Sequence, residues 1–304
     1  MKVLVYGGTG SQGSAIVQKL LAQGHDAYVL TRQPEKAAHL AEQGAHIVQG
    51  DMADLASLRA ASTGMDAIAL TITFIIPDRV QAVRYGQNAI DAAKATGVKR
   101  IVYNTSGPVL AEPIGNAGYD MRPEVIAYLK ASGVPYIVFA PTTYLENLLG
   151  PWTRQGIIEQ NTLAYPAEAH AAIGWIATRD LAALIVAALE HPEVAPAEWA
   201  VSGVENLTGT ALAARFSEGL GREIAYYPLP LDAFGAALDE MLGAGASEGV
   251  LPGYRLLRDH PEKITNWTDM RPILEKLPVQ MTNVVDWVRE HAFLFSAESV
   301  SKVE

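Results

Sequence analysis

The sequence predicts an α/β protein: a doubly wound parallel sheet followed by a smaller mixed α/β C-terminal lobe. Three observations predict it. Through the first half, short runs of consecutive apolar residues alternate with stretches of helical periodicity, as in a parallel sheet covered on both faces. Gly24, Gly44, Gly97 and Gly133 close four of those helical stretches. A glycine-rich turn, Gly7-Gly8-Thr9-Gly10-Ser11-Gln12-Gly13, joins the first strand to the first helix.

In order, the pattern predicts strands over 3–6, 27–31, 46–49, 67–73, 100–104 and 135–139. Helices are predicted between them over 11–23, 35–43, 54–61, 80–96 and 124–132. Ala15, Ile16, Leu20 and Leu21 mark the apolar face of the first helix, and Asp54 is the expected N-cap of the third. Each return is long enough for a crossover, so the six strands predict a parallel sheet in the usual doubly wound order. After about Pro141 the rhythm breaks. Pro151, Pro166, Pro192, Pro196, Pro228, Pro230 and Pro252 punctuate the rest, with helices predicted over 180–190, 210–220, 233–242 and 282–290 and short strands over 198–201 and 224–226. The expected division is a nucleotide-binding domain over 1–150 and a smaller substrate- or partner-binding lobe over 151–304, interleaved with the first. The tail after Phe295 is expected to fray.

Composition narrows the function classes. Hydrophobic residues make up 49% of the 304 and charged residues 18%, which suits a globular chain rather than a disordered one. The formal net charge of −10, with no basic run, argues against a nucleic-acid surface. The absence of cysteine excludes disulfides, thiolate metal sites and cysteine nucleophiles. The opening residues read as a strand rather than a signal peptide. The apolar run from Ala67 to Ile76 is too short to span a bilayer and is interrupted by Thr71 and Thr73. A soluble, cytoplasmic protein without membrane contact is the expectation.

The glycine turn carries the chemistry. Its G-x-x-G-x-x-G spacing assigns Gly7 to the tight turn, Gly10 to close approach of a diphosphate, and Gly13 to close helix–sheet packing. Thr9, Ser11 and Gln12 complete the loop, which presents N–H groups at a helix N-terminus. A lone motif would read equally as an ordinary βα turn. Between a first strand and a helix in a βαβ unit, it is the fingerprint of a Rossmann dinucleotide site. At the end of the second strand Leu30-Thr31-Arg32 stands where an NAD site carries an acid. Arg32, with Lys36 one turn later, therefore points to the 2′-phosphate of NADP(H). Asp51, followed by Met52, reads as an adenine contact or as a turn former. Thr71 and Thr73 read as contacts to the nicotinamide ribose or as residues chosen for β-propensity.

With these residues in view, the chain resembles the NmrA-like branch of the atypical short-chain dehydrogenases. The glycine loop with its Gln12-Gly13 ending carries the resemblance most specifically. Leu30-Thr31-Arg32 with Pro34-Glu35-Lys36, and Gly50-Asp51 with Asp54 and Leu58, agree with it. So do Ser132-Gly133-Val134-Pro135-Tyr136 and the stretch from Pro141 through Tyr144 and Asn147 to Leu148, which in the family crosses the nicotinamide half of the site. Asp180, Leu207-Thr208-Gly209, Gly221-Arg222 and Asp286-Trp287-Val288 are weaker markers. The resemblance implies an NADP(H)-binding lobe and a small second lobe. It implies no single activity, since some members are reductases of quinones, dyes or other conjugated compounds and others are redox-sensing regulators.

Typical short-chain dehydrogenases use a Tyr with a Lys four residues on, and none of the 12 tyrosines here has one. Ser106, after the fifth strand, occupies the serine position or is a loop hydroxyl bonded to local backbone. The resemblance places Arg122 where relatives carry a lysine, with Tyr119 three residues earlier. An arginine there can bind and position the dinucleotide but cannot act as a general acid near neutrality. The seven histidines are scattered without metal-ligand spacing, so no metal is expected, and no Gly-x-Ser-x-Gly elbow occurs. Trp152, Trp175 and Tyr165 line a cleft or pack the core. The leading reading is an NADPH-dependent reductase of a small, flat, apolar electrophile that lacks the Tyr-Lys relay. The runner-up is an NADP(H)-sensing regulator acting on a protein partner. A sugar-nucleotide epimerase is a distant third, because it needs the missing pair.

Overall fold

The computed structural model of the chain describes residues 1–73, 76 and 78–299. The structure divides into two compact units. The first comprises Met1–Pro141, Thr178–Ala200 and Arg271–Val279. It is built on strands β1 (Lys2–Tyr6), β2 (Asp26–Thr31), β3 (His46–Gln49), β4 (Ala67–Thr71), β5 (Ile101–Asn104), β6 (Tyr136–Pro141) and β7 (Ala197–Val201). Its helices are α1 (Ser11–Ala22), α2 (Ala38–Glu42), α3 (Leu55–Ser62), α4 (Arg79–Thr96), α5 (Ala117–Ser132) and α6 (Thr178–Glu190).

The sheet runs β7-β6-β5-β4-β1-β2-β3. The pairs β1–β2, β2–β3, β1–β4, β4–β5 and β5–β6 are all parallel. Strand order reverses between β1 and β4, the point where ligands bind in open sheets of this kind. The apolar runs behave as expected of strands covered on both faces: Val3, Leu4, Val5 and Tyr6 are fully buried. Asp54 caps α3 as expected, its carboxylate accepting from Ala56 N at 2.9 Å.

Burial pushes the Tyr6 hydroxyl up to about 12 from an ordinary 10.0. The unfolded chain therefore releases this proton first. The stability it confers is complete below pH 10 and lost as pH rises toward 12. Tyr103, Tyr119, Tyr165 and Tyr226 are raised by burial too, so denaturant unfolding across that range should show a fall that Tyr6→Phe lessens without removing; an identical profile would remove Tyr6 from the account.

Several elements differ from their sequence expectation. β4 stops at Thr71, leaving Thr73 in an exposed loop. The stretch expected as one helix over 35–43 is a 3₁₀ turn, Pro34–Ala37, followed by the short α2. α5 begins at Ala117 rather than at 124, and Pro123 lies within it. Two local devices start it early: Asn116 Oδ1 accepts from Tyr119 N at 3.2 Å, and the Asp120 carboxylate accepts from Ile114 N and Gly115 N at 2.9 Å each. The segment Ala197–Val201, expected in the second lobe, is the edge strand of the first sheet. The helix before it explains this. In α6, Leu181, Leu184, Ile185, Val186, Ala188 and Leu189 are all buried, so it needs cover on several sides, and it packs against α1. Arg100 Nη1 donates to Leu189 O at 2.8 Å and His25 Nε2 meets Glu190 Oε1 at 2.9 Å, pinning its end.

The second unit takes Thr142–Ala177, Val201–Met270 and the chain from Gln280. The division falls nine residues before the expected boundary at 150/151 because the chain enters new pairings straight after Pro141. Thr142 N donates to Val201 O at 2.9 Å and Thr142 Oγ1 bonds Gly174 O. A three-stranded sheet orders Asn206–Leu207, Ile173–Ile176 and Thr143–Tyr144. Thr162–Tyr165 pairs in parallel with Ala225–Pro228. Helices Pro151–Gln160, Gly209–Leu220, Leu231–Leu242, Ala246–Asp259 and Val284–Glu290 complete the unit. Its core gathers Leu212, Phe216, Trp287 and Phe295 with Tyr165 and Trp175. Two of its helices lie where the sequence shows punctuating prolines and predicts no helix. Pro151 instead starts one at its first position, and Pro252 is accommodated inside another. Beyond the buried Phe295, Ala297–Ser299 form a 3₁₀ turn; the rest of the tail expected to fray lies outside the described residues, as do residues 74 and 75 of the apolar run. Among the described residues no helix is long and apolar enough to cross a membrane.

Candidate functional site

The site begins where β1 ends. Gly7 takes φ +71°, which turns the chain out of the sheet, and Gly10 N donates back to Gly7 O at 3.1 Å. A side chain at Gly13 would overlap Gly7 O and Gly8 Cα, so α1 packs on the loop through that bare Cα. Gly10 differs. A Cβ there would meet only Gly7 O, at 3.5 Å, so nothing in the protein itself demands glycine. The space beside it is a cradle that a side chain would fill. Gly10 is also the N-cap of α1, with no side-chain cap and no acidic residue in the first turn. The N–H groups of Ser11, Gln12 and Gly13 thus stand at an uncapped positive helix end, suited to an anion.

Beside this loop lies a cavity of about 430 Å³. Among the described residues it is lined by Gly7 and Thr9 of the loop, by Leu30, Thr31, Arg32, Gln33 and Lys36, by Gly50, Asp51 and Met52, and by Thr73, Ile76, Gln81 and Tyr85. Arg32 and Lys36 are exposed, and among the described residues no carboxylate pairs with either. The turn carrying them is shaped by Thr31, whose Oγ1 accepts from Gln33 N at 3.1 Å. Asp51 lines the wall while its Oδ1 accepts from Ala53 N at 2.9 Å, so the turn-forming use of this residue is realised. Asn88, from α4, donates to Met52 O at 2.8 Å and fixes that wall.

A second cluster sits at the C-terminal ends of β4 and β5, where Thr71 and Asn104 are register partners. Asn104, fully buried, accepts from Ser106 N at 2.8 Å and donates to Gln12 Oε1 at 2.7 Å. Gln12 Nε2 donates to Ser106 Oγ at 2.8 Å. Ser106 has φ +57°, a left-handed conformation that serine adopts at a cost of about 1–3 kcal/mol. Thr105 Oγ1 bonds Gly107 O at 2.6 Å, and Arg122 Nη1 donates to Pro108 O at 2.6 Å. Arg122 is 2% exposed, and its guanidinium carbon lies 4.4 Å from the centre of the Tyr119 ring. Burial pushes the Tyr119 hydroxyl above its ordinary value, opposed by the Arg122 charge.

The sequence-predicted residues thus fall into groups. Gly7, Thr9, Arg32, Lys36, Asp51, Met52 and Thr73 surround one cavity, with Gly10, Ser11 and Gly13 in the adjoining loop. Gln12, Thr71 and Ser106 meet through Asn104, whose Nδ2 also reaches Thr71 Oγ1 at 3.4 Å. Arg122 lies behind the 104–108 loop, holding its backbone. Tyr144 and Asn147 belong to the second unit. Tyr144 is buried in the strand paired with Ile176, and Asn147 bonds the Tyr165 side chain. Trp152, Tyr165 and Trp175 pack in that unit, with ring contacts of 4.9 Å to Phe234 for Trp152 and 4.8 Å between the other two. Sequence reading missed Asn104 and Asn88. A buried amide closing an apolar strand was a visible signal for the first; the second needed the packing of α4.

A parallel sheet in this order, with a glycine turn at its reversal point and an uncapped helix behind it, defines a Rossmann-like fold. The chain belongs to the NmrA-like family, whose model matches residues 1–253. It is 29% identical over 300 residues to the NAD(P)H azoreductase of Xenophilus azovorans, covering 97% of this chain and 99% of that protein. It is 28% identical over 238 residues to quinone oxidoreductase 2 of Escherichia coli, covering 78% and 80%. Among solved structures, the NADPH-dependent quinone oxidoreductase of Escherichia coli, complexed with NADPH, superposes with a TM-score of 0.77 at 24% identity, covering 96% of this chain and 99% of that one. That last likeness speaks for the fold.

Proposed function

We propose that this chain is an NADP(H)-dependent reductase of a small, conjugated, largely apolar acceptor such as a quinone. The observation that carries the reading is the cavity itself: an unfilled cradle at Gly10 and an uncapped helix end adjoin an exposed Arg32–Lys36 pair. The relatives whose names describe NAD(P)H azoreductase and quinone oxidoreductase activities support it.

In this reading the N–H groups of Ser11, Gln12 and Gly13 receive the diphosphate. Arg32 and Lys36 take the 2′-phosphate, Asp51 and Met52 flank the adenine, and Thr71 and Thr73 meet the nicotinamide ribose. Ser106 offers its hydroxyl to an oxygen of the acceptor. Arg122 keeps the Ser106 loop in place. The bound dinucleotide supplies a hydride. Quinone, NADPH and one proton from water then give hydroquinone and NADP⁺, so no tyrosine acid is required.

Charge-assisted bonds from Arg32 to a phosphate are worth roughly 1.5–3 kcal/mol. Arg32→Ala should therefore weaken NADPH binding about ten- to a hundredfold while leaving NADH affinity unchanged. Titration of both cofactors against both proteins checks this, and an equal loss for NADH would move the 2′-phosphate elsewhere.

One observation favours a second reading. The Arg122 guanidinium is engaged with Pro108 O and the Tyr119 ring, and no Tyr-Lys pair exists to move protons. A regulator that binds NADP(H) without turnover would need neither. Incubation with NADPH and a panel of quinones and azo dyes separates the two: sustained multiple turnover supports the reductase, and tight binding without consumption supports the regulator.

A further inference from the structure

The hydrogen bonds around Ser106 have a fixed direction. A backbone N–H can only donate, so Ser106 N at 2.8 Å sets Asn104 Oδ1 as its acceptor and turns the Asn104 amide nitrogen the other way. That nitrogen can only donate, and it lies 2.7 Å from Gln12, whose facing atom must be Oε1. Gln12 Nε2 is thereby aimed at Ser106 Oγ, 2.8 Å away, which must accept. Among the described residues no acceptor takes the Ser106 hydroxyl hydrogen. The hydroxyl is left as a donor directed away from the ring of three side chains. The left-handed Ser106 backbone, held by Asn104 from within and by the Thr105 and Arg122 bonds to the next residues, keeps that direction constant.

We propose that Gln12 and Asn104 are positioning residues that orient the Ser106 hydroxyl as a hydrogen-bond donor to a carbonyl-type oxygen of the electron acceptor. The use of that donor rests on the reductase reading; its orientation does not. Gln12 belongs to the glycine loop and Asn104 to the end of β5, so the dinucleotide turn and the donor are joined through one amide. A donor aimed where negative charge develops on a reduced carbonyl accelerates the transfer, whereas a hydroxyl turned inward would present a lone pair and oppose it.

Gln12→Glu tests this with little change of shape. The introduced carboxylate still accepts from Asn104 but cannot donate to Ser106, so the serine turns its hydrogen inward to that carboxylate. At saturating NADPH and pH 8, kcat should fall about ten- to a hundredfold, close to the loss in Ser106→Ala. Adding Gln12→Glu to Ser106→Ala should then change kcat less than about twofold, because the amide acts through the serine. As pH falls, protonation of the introduced carboxylate restores a donor, so kcat of Gln12→Glu should recover on an acid limb that the unaltered protein lacks. Gln12→Met, uncharged, unable to donate and only a weak acceptor, should lower kcat at every pH without recovery. Additive losses in the double variant, or absence of the acid limb, would overturn the proposal, since either would mean that Gln12 acts through charge or packing. Neutron diffraction of the unaltered, deuterated protein reads the orientation without any turnover. A Ser106 deuteron directed away from Gln12 is the expected result, and one directed at Gln12 overturns the inference even if the protein is a reductase. An outward deuteron in a protein that reduces no acceptor would uphold the orientation and sink the reductase reading instead.

Discussion

Gly10→Val should abolish NADPH binding and leave the protein folded. The backbone at Gly10, φ −84° and ψ 167°, is extended and open to any residue. A Cβ there meets only Gly7 O at ordinary contact distance, so the fold gives no reason for glycine. A branched side chain would stand in front of the α1 N-terminus, where a diphosphate must touch backbone. A loss of roughly a hundredfold or more in NADPH affinity is expected, about 2.7 kcal/mol, with Tm within a few degrees of the unaltered protein. Gly13→Ala should do the reverse damage. Its methyl group would overlap Gly7 O and Gly8 Cα, so helix and loop could not both keep their places. Thermal melting and NADPH titration of the two variants separate the roles. Retained affinity in a folded Gly10→Val would show that the dinucleotide lies elsewhere.

Arg122→Ala should cost the protein about 3 kcal/mol of stability, through the orphaned Pro108 carbonyl and the space left against the Tyr119 ring. For a chain of this size that is a fall in Tm of about 5 °C. NADPH affinity should weaken less, and only because the Ser106 loop loses its support. Arg122→Lys keeps one donor for Pro108 O and should recover most of the stability. Tyr119→Phe should change turnover little, because its hydroxyl is buried and held above its ordinary pKa. The pH–rate profile should accordingly show no tyrosine ionisation near neutrality. An unchanged Tm in Arg122→Ala would contradict the strut role. Loss of activity in Tyr119→Phe, with NADPH still bound, would point to a displaced proton relay.

Much of this was legible before the fold was seen. The glycine spacing requires a tight turn and a close helix–loop packing at fixed intervals, and Gly7 and Gly13 meet those two needs, while Gly10 stands beside open space. Strand order followed from crossover length and handedness, which are local properties of the chain. What was not legible depended on partners distant in sequence. Ala197–Val201 reads as a short strand, but its sheet depends on distant partners: it joins the first sheet as the seventh strand after α6 packs on α1. Pro151 and Pro252 read as punctuation of the second lobe, yet a helix opens at Pro151 and another runs through Pro252. Arg122 reads as a cofactor contact, and sequence position alone cannot tell that its guanidinium holds Pro108 O and faces the Tyr119 ring.

The central claim is a dinucleotide site at the glycine loop that selects the 2′-phosphate. Calorimetric titration of NADPH, with NADH beside it, against the unaltered protein tests it most directly. The account predicts one molecule bound per chain and an NADPH affinity at least about ten times that of NADH. Equal affinities, or no saturable binding of either, would contradict it.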